Sequence, residues 1–205
     1  MRLSLAAGLE AAAAAGRAPK DLAAVFASQG GDGENVHAIC EMLASDDREI
    51  SPTRFHNSVH NAPAGYWSIA TGATQPADSL AAYDASFSAG LIESLARVAQ
   101  QPAQPVLLIS YDAPYPEPLN ATRPMLDSWA SALLLAGDAT SGPTITLSLV
   151  SEKPQPMKDA ALERVRMGIP GARALPLLAL VASGKPGRVV LEYLDGLAVA
   201  VEVSA

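Results

Sequence analysis

The chain has 205 residues, 49% of them hydrophobic and 17% charged, and a net charge of −7. That balance supports one well-buried layered domain and excludes the basic face a nucleic-acid binder needs. No basic cluster is present to hold an anionic membrane, and no segment reaches the ~18–20 uninterrupted apolar residues of a membrane span.

The N-terminus, MRLSLAAGLEAAAAAGRA, has the look of a secretory leader, but Glu10 interrupts the apolar run. It is read as an alanine-rich core helix over residues 3–15, since alanine allows close packing at little entropic cost. Cys40 is the only cysteine. An intrachain disulfide is therefore excluded, which agrees with a reducing, cytoplasmic location.

Residues 22–27 (LAAVFA) read as a short buried strand, closed by the glycine turn SQGGDGE. The turn lacks both a P-loop lysine and GxGxxG spacing, so its glycines are assigned to the turn itself. Asp32 caps a helix over residues 34–44, with Val36, Ile39, Cys40 and Leu43 on one face and His37 near the surface. Cys40 is expected to fill core space.

The stretch RFHNSVHNAPAGYWSIATG, residues 54–72, holds two of the three histidines. Pro63 stands where its fixed φ suits a first helical turn, and a buried helix is expected over residues 64–73. Asn57 and Asn61 suit turn or cap positions. Beyond it, residues 75–78 read as a turn and 79–83 as a short strand. Residues 87–100 form an amphipathic helix with Leu91, Ile92, Leu95 and Val98 inward. The continuous apolar run 106–111 reads as a strand covered on both faces.

A proline-rich loop, 112–124, is the best internal boundary. The second half reads as strands at 128–135 and 144–150 joined by GDATSGP, then a helix over 157–167. Further strands are expected at 175–182, 188–194 and 197–203, with Asp195–Gly196 as a hairpin turn. Alternating strands and helices ending in a hairpin predict a layered α/β domain.

The string SVHNAPAGYWSIATG, with Val59, Ala62, Ala64 and Gly65 fitting, resembles the nucleophile turn of the β-ketoacyl synthases of the thiolase-like superfamily. More narrowly, it is similar to a small ketosynthase-like family found with aryl polyene (xanthomonadin-type) pigment genes. The resemblance runs from about Ala23 to Pro118 and more loosely to Val150. It implies a thiolase-like αβαβα fold in a shortened, half-ketosynthase form. One domain over 1–205 is expected, with residues 1–120 the better-matched half and 121–205 reduced.

In that family a cysteine at the start of a buried helix attacks the acyl group, assisted by an oxyanion hole and by histidines or a His–Asn pair. The resemblance puts Pro63 at the cysteine's position, where neither a thiol nor a backbone N–H is available. No histidine follows His60, so the family's later histidine motifs have no counterpart. The resemblance thus implies a non-catalytic subunit without cofactor or metal. It would pair as a heterodimer with an intact ketosynthase and shape its acyl tunnel, as a chain length factor does. An acyl carrier protein would be met through that complex.

Residues 106–111 are expected to pair with the partner's equivalent strand. His56, Asn57, Ser58, His60, Asn61, Tyr66, Trp67, Phe87, Leu108, Ile109 and Tyr111 are the interface or tunnel candidates. For Tyr66 and Trp67, core packing is the favoured reading over partner or acyl-chain contact. The alternative is a small acyl hydrolase or acyltransferase using Ser58, His56 or His60. It has no GxSxG elbow and no identifiable orienting acid. A zinc site at His56 and His60 has the four-residue spacing but lacks the glutamate of HExxH.

Overall fold

The computed structural model describes residues 1–137 and 142–204. Its first sheet is built from β1 (Ala23–Ala27), β2 (Ala77–Leu80), β3 (Val106–Asp112) and β4 (Trp129–Leu135). The strand order is β2-β1-β3-β4, parallel except for the last pair. A second sheet, entirely antiparallel, takes β5 (Thr144–Val150), β6 (Gly187–Leu194) and β7 (Leu197–Ser204) in the order β5-β7-β6. The join between β4 and β5 lies partly outside the described residues.

Period-two alternation along β1 and β3 sends side chains into two different cores. Val25, Ala27, Val106 and Leu108 face one side, where they meet Phe87, Leu91 and Val98 of α5 (Ser86–Gln100). Leu177 of α8 (Leu175–Ala182) joins them, with Leu191, Val199 and Val201 of the second sheet. Ala24, Phe26, Leu107 and Ile109 face the other side. There they pack under α1 (Arg2–Ala14) and under Trp67 of α4 (Ala62–Thr71). Trp67 meets Phe26 edge-on at 6.4 Å. The layers therefore run helix, sheet, helix, sheet. On the far face of the second sheet Thr144, Thr146, Ser148 and Glu202 are exposed. The outer helical layer of a five-layer order does not cover these positions.

Most of the expected elements are present. Asp32 accepts the Asn35 N–H at 3.1 Å and caps α2 (Gly33–Ala44), and Asp159 caps α7 (Ala160–Gly168) the same way. Short helices α3 (Pro52–His56) and α6 (Leu119–Thr122) punctuate the loops.

Three expectations are corrected. Residues 175–182 form helix α8, not a strand. The apolar run LPLLALVA has no period of its own; its leucines and alanines favour a helix, which continues directly from a 3-10 turn at Pro170–Ala174. The stripe on α2 is not a core face: only Ile39 is buried, while Val36, Leu43 and Cys40 are exposed. That helix packs beside α3 rather than on a sheet. Finally, β3 lies between β1 and β4, buried on both faces with both edges paired. It has no edge to offer a partner.

Candidate functional site

In sheets with parallel strands, ligand sites gather at the strands' carboxyl ends. Here β1 ends in Ser28–Gly33, β3 ends at Asp112, and β2 leads through a turn into α5. Ser28 is fully buried and donates its hydroxyl to Asp112 Oδ1 at 3.1 Å. The Gln29 N–H donates to the same oxygen at 2.9 Å, and the Gly31 N–H donates to Ser28 Oγ at 3.0 Å. Tyr115 lies across the turn, so close that a Cβ at Gly30 would stand 1.8 Å from its hydroxyl. The glycines do make the turn, as the sequence indicates, but they also seat an aromatic ring from the loop after β3.

Asp112 is 2% exposed. Burial pushes its carboxyl from the ordinary 3.8 up to about 6, against the lowering effect of the Gln29, Ser28 and Gly171 donors. Between these two values the folded chain holds a proton that the unfolded chain has released. Stability therefore falls as pH rises through that window, by roughly 2–3 kcal/mol in all, and is level above it. Asp112→Asn keeps the Oδ1 acceptor but cannot ionise. Urea titrations of this variant are expected to lose the slope between about pH 4 and 6 and to show a gain of ~2 kcal/mol at pH 7. An unchanged slope would contradict the assignment.

The turn before α5 carries Tyr83 at φ 54, a left-handed conformation uncommon for a bulky residue. Ser86 secures it, donating to the Tyr83 carbonyl at 2.7 Å and accepting the Ala82 N–H at 3.0 Å. Arg123 covers the Tyr83 ring at 3.9 Å, pairs with Asp84 and donates to Gln29 Oε1 at 3.2 Å. Arg173 reaches Asp84 at 3.8 Å and Glu192 at 3.2 Å. Arg166 joins Glu192 to Glu163. These alternating charges tie α7, β6 and the 3-10 turn to the turn that leads into α5. Spacing in sequence gives no sign of such a ladder. In the first turn of α5, Phe87 is 1% exposed.

The stretch at 54–72 is placed differently from its expectation. The helix between the sheets is α5; α4 lies in the outer layer, with Pro63 in its first turn. His56 is exposed, and Ser58 donates to the Phe55 carbonyl at 2.8 Å. His60 Nε2 is 3.0 Å from the Ser28 carbonyl, and Asn57 accepts from the Tyr66 hydroxyl at 3.0 Å. Asn61 is exposed at the α4 N-cap without a capping bond. Ser58, His56 and His60 do not converge on one another. Trp67, Phe87, Leu108, Ile109 and Tyr111 are at most 4% exposed, inside this subunit. As surface contacts they are withdrawn, because both cores of the first sheet consume them. Three apolar side chains of this stretch remain exposed, Ile69 at 78%, Phe55 at 67% and Val59 at 53%, and α4, which carries Ile69, lies beside β2.

The family model of the β-ketoacyl synthase N-terminal domain matches residues 2–183, beyond both the Ala23–Pro118 span of the sequence resemblance and its looser continuation to Val150. A solved structure of a ketosynthase (ApeO) in complex with its chain length factor (ApeC), from Xenorhabdus doucetiae, aligns with a TM-score of 0.72. The identity is 23%, over 98% of this chain and 76% of that one. The ishigamide ketosynthase/chain length factor aligns at 0.62 with 14% identity, over 90% of this chain and 73% of that one. The 3-oxoacyl-(acyl carrier protein) synthase III of Pseudomonas aeruginosa aligns at 0.52 with 16% identity, over 99% and 82%. No curated protein matches. The fold is the thiolase-like layered fold of the ketosynthases.

Proposed function

This chain belongs to the β-ketoacyl synthase N-terminal-domain family, and we propose that it serves there as a non-catalytic subunit. It pairs with an active ketosynthase and shapes its acyl tunnel, a chain-length-factor role in aryl polyene-type synthesis. The observation that carries this reading is Phe87. The family's cysteine stands at the start of a buried helix, and the helix buried between the two sheets here is α5, whose first turn reads Ser86–Phe87–Ser88. A phenylalanine ring supplies no nucleophile and fills the space where a thioester would form. Pro63, the position indicated by the sequence resemblance, supplies none either.

The neighbouring complex of a ketosynthase with its chain length factor supports the same reading. The partner surface is the free edge of β2 together with Phe55, Val59 and Ile69, bordered by the polar residues His56, Asn57, Ser58, His60, Asn61 and Tyr66. An acyl carrier protein would be engaged through the ketosynthase.

Purified chain, and its Pro63→Cys and Phe87→Cys variants, are each expected to show no decarboxylative condensation, because no histidine follows His60 to assist a restored thiolate. Measurable condensation by the wild-type chain alone would overturn the reading.

A further inference from the structure

On the inter-sheet face of the first sheet, Ser110 pairs directly with Ser131, and Asp112 with Trp129. Directly opposed residues share a face, with Cβ atoms ~4.5–5.5 Å apart. The four side chains therefore form one polar patch at the end of an otherwise apolar layer. Ser110 Oγ, Ser131 Oγ and Trp129 Nε1 are buried and have no hydrogen-bond partner among the described residues, and beside them lies buried Asp112 Oδ2, with the Gly171 N–H as its neighbouring donor. None of the four bonds another, and Asp112 Oδ1 is already committed to Ser28 and Gln29.

Unpaired buried groups are rare in native proteins, and three on adjoining positions beside a buried carboxyl oxygen call for a common partner. The donor set is mixed: an indole N–H that can only donate, two hydroxyls that do both, and a carboxyl oxygen. Gly171, in the 3-10 turn above, lies directly against the patch. A Cβ there would stand 3.2 Å from Asp112 Oδ2, 3.3 Å from Ser110 Oγ and 2.9 Å from Trp129 Cδ1.

We propose that Asp112, Ser110, Ser131 and Trp129 form a built internal water site beneath Gly171, which joins the first sheet to the helical layer between the sheets. A buried water typically makes about three hydrogen bonds to groups that otherwise lack partners. Here it accepts from the Trp129 indole and donates to Asp112 Oδ2 and a serine hydroxyl. The patch itself then holds position 171 to glycine, since a Cβ there would press on Trp129, Asp112 and Ser110, three of the groups the water joins.

Water-selective NMR on ¹⁵N-labelled protein tests this. The Trp129 indole N–H is expected to show a cross-peak to a long-lived water, and a high-resolution crystal structure to show density within hydrogen-bond distance of Asp112 Oδ2. Gly171→Ala is expected to abolish the cross-peak. Should that variant fail to fold, Ser131→Val, on the half-buried edge strand, removes one partner and fills part of the space, with the same expected loss. A folded wild-type chain with no such cross-peak and no density would overturn the proposal. So would a Trp129 indole found bonded directly to Asp112.

Discussion

Gly90→Val is expected to cost the chain roughly 3 kcal/mol or more, and Gly90→Ala is expected to destabilise it as well, although alanine is the better helix former. Gly90 is where α5 crosses the first sheet: a Cβ there would meet Leu108 Cδ1 at 2.8 Å and Ala27 Cβ at 2.9 Å. Leu108 can rotate away, but Ala27 has no rotamer to change. Overfilling a packed core commonly costs ~1–3 kcal/mol, and a two-methyl side chain at this crossing lies at or above the top of that range. Gly65 supplies the control. It is also helical, yet a Cβ there would meet nothing within 4 Å. Gly65→Ala should therefore stabilise the chain by ~0.5–1 kcal/mol through helix propensity alone. Denaturant titration of the three variants measures both signs. A neutral or stabilising Gly90→Ala would mean that α5 is not the closely packed central helix.

That helix also marks how far the sequence could be read. The stripe of Leu91, Ile92, Leu95 and Val98 identified α5 as amphipathic, and the continuous run 106–111 identified a strand covered on both faces. Neither pattern says that α5, rather than α4, lies between the sheets. The placement depends on the partners across the layers, Leu177, Leu191 and Val199, which are about 80 residues or more further along the chain. Pro63 drew attention because proline suits a first helical turn, and it does occupy one. The same signal marks any helix start and carries no information about burial.

The pairing of Ser28 with Asp112, 84 positions apart, and the ladder from Glu163 to Arg123 were likewise invisible. Each joins single polar residues from separate elements. By contrast, the Asp32 cap, the SQGGDGE turn and the Asp195–Gly196 hairpin depend on local chemistry, and all three were legible.

The second large effect concerns the edge of β2. The Ala24 N–H donates to the Pro76 carbonyl and the Ser28 N–H to the Leu80 carbonyl. In a parallel ladder that pattern assigns residues 76, 78 and 80 to β1, and leaves the backbone groups of Ala77 and Ser79 facing outward. A partner strand would bond to these. Ser79→Pro removes an outward N–H without touching the β1 ladder, where proline is tolerated only on such an edge. Ile69→Lys places a charge in the exposed apolar surface of the neighbouring helix. Together they are expected to weaken a complex with the ketosynthase by about 100-fold, the scale of losing one or two interface hot spots. The melting temperature of the free chain should change little. An unchanged complex would move the interface away from β2.

The central claim is that this chain is one half of a catalytic pair, and co-expression with an intact ketosynthase from an aryl polyene-type pathway, followed by native mass measurement, tests it most directly. The account predicts a stable complex containing both chains in equal number, with condensing activity that is lost when the ketosynthase's own nucleophile is removed. A chain that stays free of the ketosynthase under these conditions, or that condenses acyl groups without it, would contradict the account.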